Sequence, residues 1–330
     1  MSIILGIEST AHTFGIGIVK NGKIIANVRD MYTTEKGGII PVESAKHHAK
    51  VSHELYEKAI DTANIKEKEI DCIALSQGPG LAPCLIQGMK FAKELSLKLK
   101  KPIVGVNHCV AHLEVGKVTG AKDPVMLYTS GANTQVIAYA SGKYRVFGET
   151  LDIGVGNFID NFARYAGIGF PGGPEIEKLS KQGKTYIELP YKVKGMDITL
   201  SGILTNLKQK LESKKYPIED LAYSLQETVF AMLVETAERA LAHTGKNELL
   251  LGGGVACNSR LQEMCKIMCE ERGAKFFCPE RSLLVDNGGM IAFLGEIMFN
   301  KNSNVFSEED LNKLDIHPGE RTDDIEVSWK

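Results

Sequence analysis

VMLYTSGANTQVIAYASGKYRVFGE, residues 125–149, reads as a strand, a loop rich in Ser, Gly and Thr, a second strand, a Ser-Gly turn and a third strand. The reason is that β-branched and aromatic runs alternate there with turn-forming residues. The same plan stands near the N-terminus, where IILGIES and FGIGIVKNGKIIANV carry the tight-turn pair Asn21-Gly22. Two such hairpin units, each followed by helices, predict an internally duplicated α/β protein with related lobes.

Working outward from these units, residues 42–64 have helical spacing, with Ala45, Ala49, Ser52 and Leu55 along one stripe. DCIALSQ is then a buried strand that GPG, residues 78–80, breaks; a helix over 83–99 and a strand over 102–106 follow. In the second half, short helices over 156–165 and 173–181 surround the turn GIGFPGGP, and 221–243 is a long amphipathic helix. NELLLGGGVACNSRL gives a strand, three glycines and a helix, and LLVDNGGMIAFLGEIM gives a loop opening onto the last helix. The expected organisation is an N-terminal lobe, 1–122, and a C-terminal lobe, 123–300, with a helical insert at about 156–220. The polar composition of 301–330 marks a peripheral extension.

The chain has 330 residues, 43% apolar and 24% charged, and so reads as globular with a large core. A formal net charge of −2 announces neither a nucleic-acid nor a membrane partner, so any RNA contact needs a local basic patch. The densest basic cluster, Lys98, Lys100 and Lys101, reads as a solvated helix end. Seven cysteines without CxxC pairs resemble reduced thiols, and Cys265 and Cys269 sit at helical spacing suited to core packing. MSIILGIEST lacks a basic leader, and no apolar run reaches the length of about 18 residues that spans a bilayer, so a cytoplasmic protein is expected.

Chemistry enters with GVNHCVAHLEVG, residues 105–116. Asn107 is a good N-cap, so His108 and His112 project from one face of a short helix whose apolar stripe is Cys109, Val110 and Leu113. The i, i+4 spacing lets both imidazoles reach one ion. Spacing alone leaves a pair of surface histidines equally open. The zinc-peptidase motif is absent, because HCVAH has cysteine where HExxH places its general-base glutamate. Further ligands must come from distant junctions, and the best placed are Asp286, before the final helix, and Tyr128, at the end of the strand before TSG. An aspartate there is also a natural cap, and a tyrosine a natural packing residue.

Three loops point to a nucleotide. Glu8, Ser9 and Thr10, and TSGANT at 129–134, occupy equivalent hairpin positions where backbone N–H groups can clasp phosphates. Gly252, Gly253 and Gly254 allow a base or ribose to approach the backbone closely. This order of units resembles the actin, Hsp70 and sugar-kinase superfamily, an α/β fold of two lobes with duplicated β-hairpins and a nucleotide cleft between them. Kinases of that superfamily usually carry a magnesium-linked aspartate in the first loop. Glu8 stands there here, which weakens an ATPase or phosphotransferase reading.

Taken together, SQGPGL, GVNHCVAHLEVG, YTSGANTQV, GETLDIGVGNFIDNFARY, PGGPEIEKL, KGMDITLSG, LLGGGVACNSRL and DNGGMIA span essentially the whole chain. In this order they resemble the archaeal and eukaryotic branch of the universal tRNA threonylcarbamoyladenosine family, the catalytic subunit of the KEOPS complex. The resemblance implies transfer of a threonylcarbamoyl group from threonylcarbamoyl-AMP to N6 of the adenosine beside the anticodon, in tRNAs that read ANN codons. It implies one metal ion, iron favoured and zinc possible, on His108, His112, Tyr128 and Asp286. It places the intermediate, or an ATP-like nucleotide, on Tyr128, Thr129, Ser130, Gly131, Ala132, Asp160, Gly173, Glu177 and Asn258. No general base, and no catalytic residue beyond the metal site, follows from it. The implied partners are tRNA, a small kinase or ATPase, a dimerising subunit and an accessory subunit. In some archaeal relatives the kinase is fused at the C-terminus; here it is expected to act in trans or to have been trimmed away.

Two departures touch loop details: ESTAHT in the first loop, where a Glu-Gly-Thr-Ala form is frequent, and Leu200 where an aromatic is usual. His47 and His48 fall in a family-like segment and are expected to be structural or substrate-shaping. A metallopeptidase is disfavoured by the missing base. A non-enzymatic nucleotide-dependent scaffold or DNA-binding protein predicts that the two helix histidines are dispensable for tRNA modification.

Overall fold

A computed structural model describes residues 2–35 and 38–330. The first hairpin unit is β1 (Ile3–Glu8), β2 (Thr13–Lys20) and β3 (Lys23–Met31). It is followed by α1 (Pro41–Ala63), β4 (Cys72–Gly78), α2 (Ala82–Leu99), β5 (Ile103–Asn107) and α3 (His108–Val115). The second hairpin unit is β6 (Val125–Thr129), β7 (Thr134–Ala140) and β8 (Lys143–Glu149). Then come α4 (Val155–Tyr165), α5 (Gly173–Ser180), the small pair β9 (Val193–Lys194) and β10 (Asp197–Ile198), and α6 (Ser201–Glu212). The chain continues through α7 (Ile218–Thr244), β11 (Glu248–Gly252), α8 (Ser259–Arg272) and β12 (Lys275–Phe277). It ends with α9 (Arg281–Leu284), α10 (Gly288–Asn300) and β13 (Val305–Phe306).

The chain forms two compact units, 1–32 with 39–115 and 286–330, and 33–38 with 116–285. The first holds a sheet in the order β13-β5-β4-β1-β2-β3, the second a sheet in the order β12-β11-β6-β7-β8. In each, the hairpin strands run antiparallel and the strands beyond are joined in parallel, β1 to β4 to β5 and β6 to β11 to β12. The duplication read from the two hairpins is therefore a duplication of topology.

The last helix, expected in the C-terminal lobe, packs on the first sheet instead. The reason lies in β2, TFGIGIVK, which buries Phe14, Ile16 and Ile18 in the core and carries glycine at the alternate positions. A Cβ on Gly17 would lie 2.2 Å from the backbone nitrogen of Gly289, and one on Gly6 of β1 2.3 Å from that of Ala292. Only bare backbone lets α10 lie that close to the strands. Residues 301–330, expected to be peripheral, are also part of this unit: β13 pairs with β5, and Leu311 and Leu314 enter the core formed by α1, α2 and the sheet.

The buried stripe of α1 is Ser44, His48, Ser52, Leu55, Tyr56 and Ala59; it includes the expected Ser52 and Leu55, while Ser44 and His48 are buried in place of the neighbouring Ala45 and Ala49. Alanine carries little patterning signal, and the buried hydroxyl and one ring nitrogen of the imidazole find a backbone partner: Ser44 Oγ and His48 Nε2 both reach the carbonyl of Ala11, at 2.7 and 3.1 Å. Cys265 and Cys269 are buried in the second core, as expected for packing residues. Lys98, at a helix end, pairs with Glu67 on the surface. Among the described residues, no helix is long and apolar enough to cross a membrane.

Candidate metal centre and nucleotide loops

The helix α3 starts as its sequence dictates. Asn107 Oδ1 accepts the amide of Val110 at 3.0 Å, so the strand β5 passes directly into a capped helix that begins with His108. All eight residues of α3 are buried, including the face that the helical wheel left to solvent. His108 is 5% exposed and His112 2%, because α10 packs against the helix as well as β4 and β5. Surface histidines are therefore excluded.

Asp286 reaches both rings. Its Oδ1 lies 3.4 Å from His108 Nε2 and 3.5 Å from His112 Nε2. The helix cap that an aspartate commonly supplies is provided by its neighbour: Asn287 Oδ1 accepts the amide of Met290 at 2.9 Å, which leaves Asp286 to the histidines. One ligand atom from each of His108, His112 and Asp286 lies within 4.8 Å of the others, close enough for all three to hold one ion.

Behind them stands Glu8, fully buried at the end of β1. Its Oε2 is 2.9 Å from His108 Nδ1, and its Oε1 accepts the amide of Thr10 at 2.7 Å and the Thr10 hydroxyl. The backbone amides of the Glu8, Ser9 and Thr10 loop, expected to face a phosphate, bond within the fold, Ser9 N to Ser76 Oγ at 3.0 Å and Thr10 N to Glu8 Oε1 at 2.7 Å. A carboxylate on Nδ1 fixes the ring so that Nε2 faces the ligand position, as second-shell acids do for metal-bound histidines.

The electrostatics agree with a cation site. Burial works against a charged His108, but the carboxylates of Glu8 and Asp286 outweigh it and hold the imidazole well above its usual pKa. Burial also opposes ionisation of Asp286, yet the charge of His108 and hydrogen bonds from both rings keep it well below the usual carboxylate range. His112 is lowered, first by burial, with repulsion from His108 adding to it. The carboxylates of Glu8 and Asp286 thus converge on His108 from both sides of its ring, at 2.9 Å from Nδ1 and 3.4 Å from Nε2. The set of imidazole and carboxylate donors fits a borderline transition metal.

In the second unit, Tyr128 and Thr129 end β6, both buried, and the chain turns at once. Ser130 N donates to Asn133 O at 2.9 Å and Ser130 Oγ accepts from Asn133 N at 3.1 Å, which closes the TSGAN loop on itself. The carbonyls of Ser130 and Gly131 accept the amides of Gly156 and Asn157, at 3.0 and 2.9 Å, in the first turn of α4. Because a trans peptide sets N–H opposite to C=O, the amides of Gly131 and Ala132 point away from α4.

The second glycine loop lies against this one. Gly253 has φ +88°, and a Cβ there would sit 2.5 Å from the carbonyl oxygen of Thr129. That position requires glycine. At Gly254 and Gly173 a Cβ would meet nothing within 4 Å, so neighbours do not impose glycine there. A Cβ on Gly252 would come 2.9 Å from the Met126 sulfur.

Around these loops the expected substrate residues fall into two linked groups. Asp160 Oδ1 accepts the amide of Gly172 at 2.8 Å, beside the start of α5. Glu177 Oε1 accepts the amide and hydroxyl of Ser259, at 3.2 and 2.6 Å, next to Asn258. Burial would raise the Glu177 pKa, but Ser259 and Lys181 more than offset it and lower it. Asn258 Oδ1 caps α8, accepting Arg260 N at 2.9 Å, and its Nδ2 donates to Gln226 Oε1, so its side chain organises the loop. Gln226, which also donates to Ser180 Oγ, was missed in sequence. The available signal was an amide on the buried face of the long helix α7, a place where a polar group needs partners.

Comparison with known proteins extends this geometry. A tRNA N6-adenosine threonylcarbamoyltransferase of Thermococcus kodakarensis is 58% identical over 327 residues, covering 99% of each chain. A probable bifunctional tRNA threonylcarbamoyladenosine biosynthesis protein of Methanosarcina mazei is 53% identical over 332 residues, which is 99% of this chain and 60% of that one. Among solved structures, T. kodakarensis HypF matches with TM-score 0.66 at 16% identity, covering 94% of this chain and 49% of its own. Component A of the (R)-2-hydroxyglutaryl-CoA dehydratase of Acidaminococcus fermentans matches with TM-score 0.56 at 12% identity, over 95% and 99% of the two chains. At such identities these two likenesses concern the fold alone. The family model described as TsaD, tRNA N6-adenosine threonylcarbamoyltransferase, matches residues 23–293, and with relatives this similar over the full length the chain belongs to that family.

Proposed function

We propose that this chain transfers the threonylcarbamoyl group of threonylcarbamoyl-AMP to N6 of the adenosine beside the anticodon in tRNAs that read ANN codons, releasing AMP. The observation that carries the reading is the convergence of His108, His112 and Asp286, with Glu8 behind His108, in a chain of this family. The three side chains would hold one metal ion, iron or zinc. When bound, the ion would supply Lewis acidity toward the threonylcarbamoyl carbonyl.

The remaining roles belong to the protein's own groups. The outward amides of Gly131 and Ala132 bind the phosphate and steady negative charge as AMP departs. Thr129 and Ser130 shape that loop, and Gly252, Gly253 and Gly254 let the nucleoside approach the backbone. Asp160 and Glu177 accept hydrogen bonds from the ribose diol, while Gly173 and Asn258 shape its seat. Glu8 orients His108 rather than touching substrate. The target amine lies in an anticodon loop, whose bases are already unstacked, so no duplex has to open. We further propose that the chain works in the cytoplasm with a small kinase or ATPase, a dimerising subunit and an accessory subunit of the KEOPS type.

The deciding experiment combines purified metal-loaded chain, those partners, threonylcarbamoyl-AMP and unmodified tRNA, and follows modified nucleoside and AMP by mass spectrometry. Stoichiometric appearance of both is expected. With partners shown to be active, AMP release without modified nucleoside, or neither product, would sink the reading.

A further inference from the structure

The helix that carries both histidines is only two turns long, too short to be stable on its own. What fixes it must come from outside, and both of its ends are held by the last residues of the chain. At the first end, Asn107 Nδ2 donates to Glu320 Oε2 at 2.8 Å while Asn107 Oδ1 caps the helix. An amide side chain can flip; a carboxylate facing Nδ2 permits only the orientation in which Oδ1 faces the helix amides. At the other end, the indole Nε1 of Trp329 donates to Glu114 Oε1 at 3.1 Å. Glu114 is fully buried and Trp329 is 9% exposed, so this bond is shielded from water.

The chain leading to these two grips is itself anchored. Asn304 Nδ2 donates to the carbonyl of Gly105 at 2.8 Å, and the Gly105 amide donates back to Asn304 O at 3.2 Å, on the strand that leads into α3. Gln77 Nε2 donates to Asp315 O at 2.6 Å, and the amide of His317 donates to Gln77 O at 2.8 Å. Gly80 N donates to Pro318 O at 3.1 Å, and His317 Nδ1 lies 3.0 Å from Glu320 Oε1, which steadies the carboxylate that holds Asn107. The segment is a strap tied to β4 and β5 before it reaches the helix.

We propose that residues 304–330 form a positioning clamp for the metal helix. Glu320 acts through Asn107, Trp329 acts through Glu114, and together they set the geometry in which His108 and His112 meet Asp286. The clamp deepens the metal reading given above and rests on it. Because ligand geometry tolerates errors of only about 0.5 Å, loosening either end weakens ion binding without removing a ligand. By linkage, ion binding in turn tightens the clamp. Trp329 is the only tryptophan in the chain, so its fluorescence reports directly on the strap.

The test uses the full chain freed of metal and titrated with zinc, which lacks the quenching of paramagnetic ions. Wild-type protein should bind one zinc with a change in Trp329 emission. With affinity read by a competing chelating dye, Glu320→Ala and Trp329→Phe should each weaken zinc binding about 10-fold, the lower end of the range for outer-shell partners. Glu320→Gln, which keeps an acceptor for Asn107, should recover most of the loss. Lys313→Ala, on the exposed side of the strap, should match wild type. In the metal-free proteins, hydrogen exchange of the α3 amides should be faster in Glu320→Ala and Trp329→Phe than in wild type. Unchanged zinc affinity together with unchanged α3 exchange, in variants whose thermal unfolding matches wild type, would overturn the clamp. If wild-type protein binds no zinc or iron, the metal reading fails; the exchange arm then still decides whether the strap holds the helix.

Discussion

The two hairpin units share one strand order, yet the loop after the first strand does opposite things in each. In the first unit Glu8, Thr10 and Ala11 face inward: Glu8 holds His108, Thr10 holds Glu8, and the Ala11 carbonyl takes Ser44 and His48. In the second unit the loop turns its carbonyls of Ser130 and Gly131 to the first turn of α4, and so presents amides on its other side. One copy of the duplicated turn orients the His108 imidazole through a carboxylate side chain. The other turns backbone donors away from α4. A common topology therefore fixes where chemistry can be placed but not its kind, which depends on whether the loop contributes side chain or backbone.

This contrast can be broken from either side. The largest effect is expected from His108→Ala with His112→Ala, which removes the ligands that the first loop supports; bound metal should disappear by elemental analysis and transfer should fall by several kcal/mol, more than about 1000-fold. Retained transfer would separate the histidines from the reaction. In the second unit, Gly253→Ala forces a Cβ onto the Thr129 carbonyl at a positive φ, and should cost about 3 kcal/mol in urea unfolding while leaving zinc affinity untouched.

The inward packing of the first loop has its own pH signature. Burial, with repulsion from His47 and His12, pushes the His48 imidazole down to about 4, although the bond to Ala11 works the other way. The unfolded chain, with an ordinary histidine near pH 6.5, binds this proton earlier than the native state does. Stability from this group is therefore complete above about pH 6.5 and lost as pH falls toward 4, by about 3 kcal/mol at most. His48→Gln should flatten that part of the profile; identical slopes for the two proteins between pH 4 and 6.5 would refute the assignment. The smallest effect is expected for Glu8→Ala, which should weaken zinc about 10- to 100-fold with His108 and His112 intact, and Glu8→Gln should lose less because it keeps an acceptor. Equal binding by wild type and Glu8→Ala would return Glu8 to the role of an ordinary loop residue.

The hairpins, the strand-glycine-helix unit around Gly253 and the histidine pair were legible because each rests on local rules: alternation, turn chemistry, and i, i+4 spacing. Asp286 was legible as a junction residue, but its freedom from capping depended on Asn287 taking that task. The burial of His108 and His112 was not legible, since a helical wheel gives one element's own faces and α10 covers α3 from nearly 200 residues further along the chain. Gln226 and the strap residues Glu320 and Trp329 escaped for a related reason: a polar side chain that bonds a distant partner leaves no periodicity in its own segment.

By itself, the sequence determined the repeated hairpin topology and the capped helix bearing two imidazoles, because these follow from backbone preferences and contacts within a few residues. Tertiary structure decided that α10 and the C-terminal strap join the first unit, and that the Glu8 carboxylate meets His108. The physical reason is that bare strand backbone at Gly6 and Gly17 admits a helix at close range, and a buried carboxyl group needs hydrogen-bond partners, which Glu8 finds in Thr10 and His108.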